Sequence, residues 1–88
     1  MPEIELTETF KKHYADLPEY IQRKVKKALH LLAENPRHPS LRSKPVEGAP
    51  GIYEASTDLQ YRVTYERLPG DVLRLRVVGK HYETLKKP

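Results

Sequence analysis

With 88 residues, sixteen Lys and Arg against twelve Asp and Glu, and a formal charge of +4, the chain has room for one small domain whose basic surface favours a polyanionic or acidic partner. The absence of cysteine excludes disulfide staples and Cys-ligated zinc or iron–sulfur centres. No apolar run is long enough to span a membrane and MPEIELTETFKKH lacks a signal-peptide apolar core, so a cytoplasmic location is expected.

In chain order, Glu3-Ile4-Glu5-Leu6 alternates as a short strand does, and Thr7 is a good N-cap with Glu8 in the first turn behind it. Phe10, Tyr14 and Leu17 recur at helical spacing until Pro18. A second helix is expected from about Glu19 to Glu34, where Ile21, Val25, Ala28, Leu29 and Leu32 form a stripe that should pack on a sheet. Arg23, Lys24, Lys26, Lys27 and His30 occupy its other faces and read as a solvated surface. Asn35-Pro36 ends the helix, because the residue before a proline avoids the helical region. The stretch PRHPSLRSKPVEGAP carries four prolines and reads as a stiff, ordered loop, with Leu41 and Val46 as anchors to the core.

From Gly51 to Thr84 three alternating runs separated by turn signals predict a β-meander. Tyr61, Val63 and Tyr65 should share one face and Arg62 and Thr64 the other. In the last run Leu73, Leu75 and Val77 should oppose Arg74, Arg76 and Val78. Leu68 to Asp71 supplies the tight connection, and His81-Tyr82 falls at the end of the last strand. The expected fold is a single α+β domain over residues 1–88, with two N-terminal helices on one face of a small twisted antiparallel sheet in the order β-α-α-β-β-β.

No Gly-rich phosphate loop and no serine or cysteine nucleophile motif is present. His13, His30, His38 and His81 are scattered without metal-ligand spacing, so no metal is expected. The constellation that carries chemistry is Arg62, His81, Tyr82 and a carboxylate from Glu47 or Glu54, with Arg42, Lys44, Arg74, Arg76 and Lys80 around it. RNA cleavage by 2′-hydroxyl attack needs a base, cations for the transition-state oxygens and an acid at the leaving 5′ oxygen, and this set contains all three types. The same arginines also read as ordinary solvent-facing strand residues, and His81-Tyr82 as a chain-end pair.

The order of elements, with LP between the helices, NPRHPSLRSKPVEG after the second, then GIYEAS, YRVTY and VVGKH, resembles the RelE/ParE superfamily of bacterial toxin–antitoxin toxins over nearly the whole chain, closest to the RelE-like mRNA interferase branch. That resemblance implies a catalytic role for Arg62 in the YR-apolar-x-Y strand, and for His81 with Tyr82 after VGK. It further implies an endoribonuclease that cuts mRNA at the 30S A site of the ribosome without metal or small-molecule cofactor, leaves a 5′-hydroxyl and a cyclic or 3′ phosphate, inhibits translation and is silenced by an acidic antitoxin. Against the family pattern, Tyr82 stands where many relatives have aspartate, Leu85 where they have tyrosine and Ser56 where they have a basic residue. Val46 occupies the general-base glutamate position of some branches, which leaves the base open between Glu47 and Glu54. The alternatives are a ParE-like inhibitor of DNA gyrase and a non-catalytic RNA- or protein-binding relative.

Overall fold

The computed structural model describes residues 2–88. Helix α1 (Glu8–Ala15) starts at the expected cap: Thr7 is extended, and its hydroxyl accepts from the Phe10 amide at 3.1 Å. The same hydroxyl donates to the carbonyls of Leu75 and Arg76, at 2.9 and 3.1 Å, which fastens the helix start to the last strand. Helix α2 (Glu19–Glu34) buries Ile21, Val25, Ala28 and Leu32, with Leu29 partly buried at the edge of the stripe. It ends at extended Asn35, ahead of Pro36. A short 3₁₀ turn (Pro39–Leu41) follows and plugs Leu41 into the core, and Val46 is buried as the second anchor of the proline-rich loop.

Five strands, β1 (Glu3–Leu6), β2 (Lys44–Pro45), β3 (Ile52–Ser56), β4 (Tyr61–Leu68) and β5 (Val72–Lys80), form one sheet in the order β1-β5-β4-β3-β2. The pairs from β2 to β5 are antiparallel, but β1 runs parallel to β5, with Glu3 opposite Val72 and Leu6 opposite Leu75. The sheet is therefore mixed rather than antiparallel throughout. The helices carry the chain across the core face to the far edge, and the meander then walks back until β5 meets β1 in the same direction, a pairing only a long crossover permits. Left-handed backbone at Gly70 and Asp71 closes the β4–β5 hairpin. Phe10, Ile21, Val25 and Leu32 from the helices pack on Ala55, Val63, Tyr65, Leu73, Leu75 and Val78.

The alternation expected for β5 breaks at Arg76. Thr64 faces Val77 while Tyr65 faces Leu75, so Arg76 is the extra residue of a β-bulge. The bulge shifts the phase by one, and Val78, not Val77, is buried with Leu73 and Leu75. The Thr64 hydroxyl fills the gap in the ladder by accepting from the Val77 amide at 3.2 Å.

The last strand stops at Lys80, and His81 begins a short helix, α3 (His81–Lys86), where the sequence reading continued the strand. Helix α3 lies on the second face of the sheet: a Cβ at buried Gly79 would point at Glu83 and Thr84, at 3.7 and 3.9 Å. The chain beyond it returns over the same face, where the Pro88 carbonyl accepts from Thr64 Oγ1 and Arg76 Nε, both at 2.9 Å. The face expected to be open and basic is thus partly roofed, and Thr64 is fully buried.

Candidate functional site

Beneath the start of α3, Glu54 of β3 is 2% exposed, an unusual burial for a carboxylate. Its Oε1 lies 3.6 Å from Lys44 Nζ on the neighbouring strand, and its Oε2 lies 3.7 Å from His81 Nδ1. Register explains the first approach, since Lys44 and Glu54 are cross-strand partners. The second follows from the fold of the chain end: the His81 amide donates to the Gln60 carbonyl at 2.8 Å, which draws the start of α3 to the β3–β4 turn. Both distances exceed hydrogen-bonding range, and Glu54 Oε2 and His81 Nδ1 are buried without a hydrogen-bond partner. Buried polar atoms left unmatched are destabilising, and such groups concentrate where chemistry is done. The His81 side chain is 44% exposed and Lys44 66%, so both reach solvent while the carboxylate between them does not.

The other residues singled out in the sequence are distributed more widely. Arg62 stands opposite Gly79, two residues before His81. Its Nη1 donates to the carbonyls of Asp58, Leu59 and Tyr61, at 2.8, 3.3 and 2.9 Å, so one arm of the guanidinium is occupied in holding the β3–β4 turn. Glu47 is exposed in the turn between β2 and β3, and Glu54 is the carboxylate brought to His81. Tyr82 is 60% exposed on α3. Arg74 pairs with Glu5 at 2.8 Å and with Glu66 at 3.5 Å, and the bond to Glu5 raises its already high pKa. Arg76 pairs with Glu66 at 3.1 Å, and Lys80 is exposed at the N-cap of α3. These two strand arginines are matched by acids rather than left facing solvent uncompensated.

Lys24 and Lys27, one turn apart on α2, join Arg42 and Arg62 around a cavity of about 280 Å³. Its one acid is Asp58, bonded to Lys24 Nζ at 2.6 Å; that bond, with the Gln60 amide, holds the Asp58 carboxyl below its ordinary pKa. The sequence predicts a plain solvated helix surface for both lysines, although their i, i+3 spacing puts them on one side of α2. Among the described residues no cluster of three or more His, Asp or Glu comes together to hold a metal ion, and no helix is long and apolar enough to cross a membrane.

The family model for the ParE toxin of type II toxin–antitoxin systems matches residues 4–84. The chain belongs to that toxin family. No curated protein sequence matches it. Among solved structures, the toxin is similar to YafQ from E. coli strain BL21(DE3), at 20% identity and a TM-score of 0.77, covering 96% of this chain and 98% of that one. It is similar to a chain of the intact E. coli RelBE toxin–antitoxin complex at 23% identity and a TM-score of 0.71, with 91% and 96% covered. A YoeB/ParE toxin from Agrobacterium tumefaciens aligns with a TM-score of 0.76 at 15% identity, over 91% and 99% of the two chains. At these identities the likeness carries the fold alone, an α+β fold shared with those toxins.

Proposed function

We propose that the toxin is an endoribonuclease that cleaves mRNA on the ribosome, and that the buried Glu54–His81 pair carries the reaction. The pair supports this reading because a carboxylate sealed under α3 with an unmatched oxygen has no role in holding the fold that an apolar residue could not fill better. Glu54 is too buried to touch RNA, so it acts as a positioning residue that turns Nδ1 of the imidazole inward. That leaves Nε2 of the partly exposed His81 as the nitrogen that moves a proton. In the reaction the 2′ oxygen bonds to the adjacent phosphorus and the bond to the 5′ oxygen breaks. His81 gives its proton to the departing 5′ oxygen, the proton of the attacking hydroxyl leaves to solvent, and the products are a 2′,3′-cyclic phosphate and a 5′-hydroxyl. Lys44, beside the pair, and the arm of Arg62 that makes no hydrogen bond supply the cations for the phosphate oxygens in this reading. A 3.7 Å approach without substrate is in keeping with a catalytic contact that tightens on binding.

An antitoxin is the expected protein partner, as RelB and DinJ are for the related toxins solved in complexes. The ParE family model supports a second reading, a gyrase inhibitor, which needs no His81 chemistry. The test applies the purified wild-type chain to programmed ribosomes and, separately, to a gyrase supercoiling assay. Cut mRNA with gyrase untouched is the expected result, and inhibited gyrase with intact mRNA would reverse the assignment.

A further inference from the structure

A cavity of about 360 Å³ between the end of α2 and the β2 edge of the sheet is bordered by Arg37, His38, Arg42, Lys44, Tyr53 and Arg67, and no carboxylate lines it. Among the described residues Arg37, Arg42 and Arg67 form no ion pair, whereas Arg23, Arg74 and Arg76 all do. Three uncompensated guanidinium groups around one concavity repel one another, an arrangement that an anion relieves.

The floor of the cavity is rigid. Arg67 sits with its guanidinium carbon 4.5 Å from the centre of the Tyr53 ring, which stacks on Tyr65 at 5.7 Å. Tyr65 is fully buried, and its hydroxyl is bonded to Ser43 at 2.8 Å, so the core fixes the platform under Arg67. Arg42 is held in left-handed backbone, φ 48°, where its amide bonds to the Pro39 carbonyl and Leu41 is locked into the core. A non-glycine residue adopts that conformation at a cost, and the neighbouring anchors over-determine it. Lys44 belongs to two places: it borders this cavity, and its Nζ approaches Glu54 of the buried pair.

We propose that this cavity is a phosphate subsite for the single-stranded RNA that runs on from the Glu54–His81 pair, with Arg37, Arg42 and Arg67 as its ligands and Lys44 as the joint between the two. The proposal rests on the RNA-cleavage reading and adds to it the path of the strand. RNA is favoured over an acidic protein segment because an amphipathic helix needs an apolar stripe beside its charges, and the one large apolar ring here, Tyr53, is covered by Arg67. A strand of phosphates tracks along a basic groove without such a stripe.

The probe is a short single-stranded 2′-O-methyl oligonucleotide, which has no free 2′-hydroxyl and stays intact. Its affinity is measured by fluorescence anisotropy over a range of salt for wild type, Arg37→Ala, Arg67→Ala and the double variant. Each alanine should weaken binding about tenfold and flatten the log affinity against log salt slope by about 0.7, the value of one phosphate contact to a single strand. Arg37→Lys and Arg67→Lys should keep the slope. Unchanged affinity and slope in the double variant would overturn the proposal, as would a wild type that binds no oligonucleotide. A double variant that keeps the oligonucleotide but loses a polyglutamate peptide would also overturn it, by giving the cavity to an acidic protein. If wild type binds the oligonucleotide through these arginines yet cuts no mRNA, the subsite stands and the cleavage reading falls.

Discussion

Glu54 Oε2 and His81 Nδ1 face each other at 3.7 Å beneath α3, and neither atom makes a hydrogen bond. A buried carboxylate with partners this distant recovers little of its lost hydration. Glu54→Met should therefore leave the fold intact and raise stability by about 1 kcal/mol, since Lys44 and His81 reach solvent and can rehydrate. Denaturant midpoints read this directly. A loss of several kcal/mol would mean that the pair is structural.

Thr7 serves two elements at once, capping α1 through the Phe10 amide and holding the carbonyls of Leu75 and Arg76 beside the bulge. Thr7→Ala should cost about 1–2 kcal/mol, the worth of a strong N-cap. Thr7→Ser, which keeps the hydroxyl, should recover most of it in the same thermal melts. Equal melting of all three proteins would show that the cap is not formed in solution.

The apolar stripe of α2 is graded. Leu32 is fully buried in the core and Leu29 only partly, so Leu32→Ala should cost about 2–5 kcal/mol and Leu29→Ala distinctly less. Equal midpoint shifts in urea would place Leu29 as deep as Leu32.

The Lys24–Asp58 bond has a signature in pH. Because its folded-state pKa is depressed, the Asp58 carboxylate contributes stability above its unfolded pKa, and that contribution is lost as the pH falls through the folded value. Asp58→Asn should lower stability at neutral pH and draw level with wild type in strong acid. Parallel stability curves for the two proteins across the acid limb would remove Asp58 from the acid response.

Much of this architecture is written locally. The stripe from Ile21 to Leu32 and the breaker at Asn35-Pro36 delimit α2, and Thr7 announces the start of α1, because both signals act within a few residues. Features that depend on tertiary partners were not legible. Val77 and Val78 look interchangeable until the Thr64 hydroxyl takes the place of a ladder bond and Arg76 bulges. Helix α3 is six residues long, too short for a period to declare itself, and its first residues continue the alternation of β5. In the candidate site, the sequence points to both His81 and Glu54, yet their approach depends on the start of α3 being drawn to the β3–β4 turn. The arginine cavity was missed because Arg67 meets Tyr53 only through strand register, and Arg37 enters from the proline-rich loop.

Proton transfer by His81 in mRNA cleavage is tested by single-turnover cleavage on programmed ribosomes with wild type and His81→Ala, alongside thermal melts of the same preparations. A drop of about 10²- to 10⁴-fold in rate is expected for a variant that melts like wild type. A folded His81→Ala protein that cuts at the wild-type rate would contradict it.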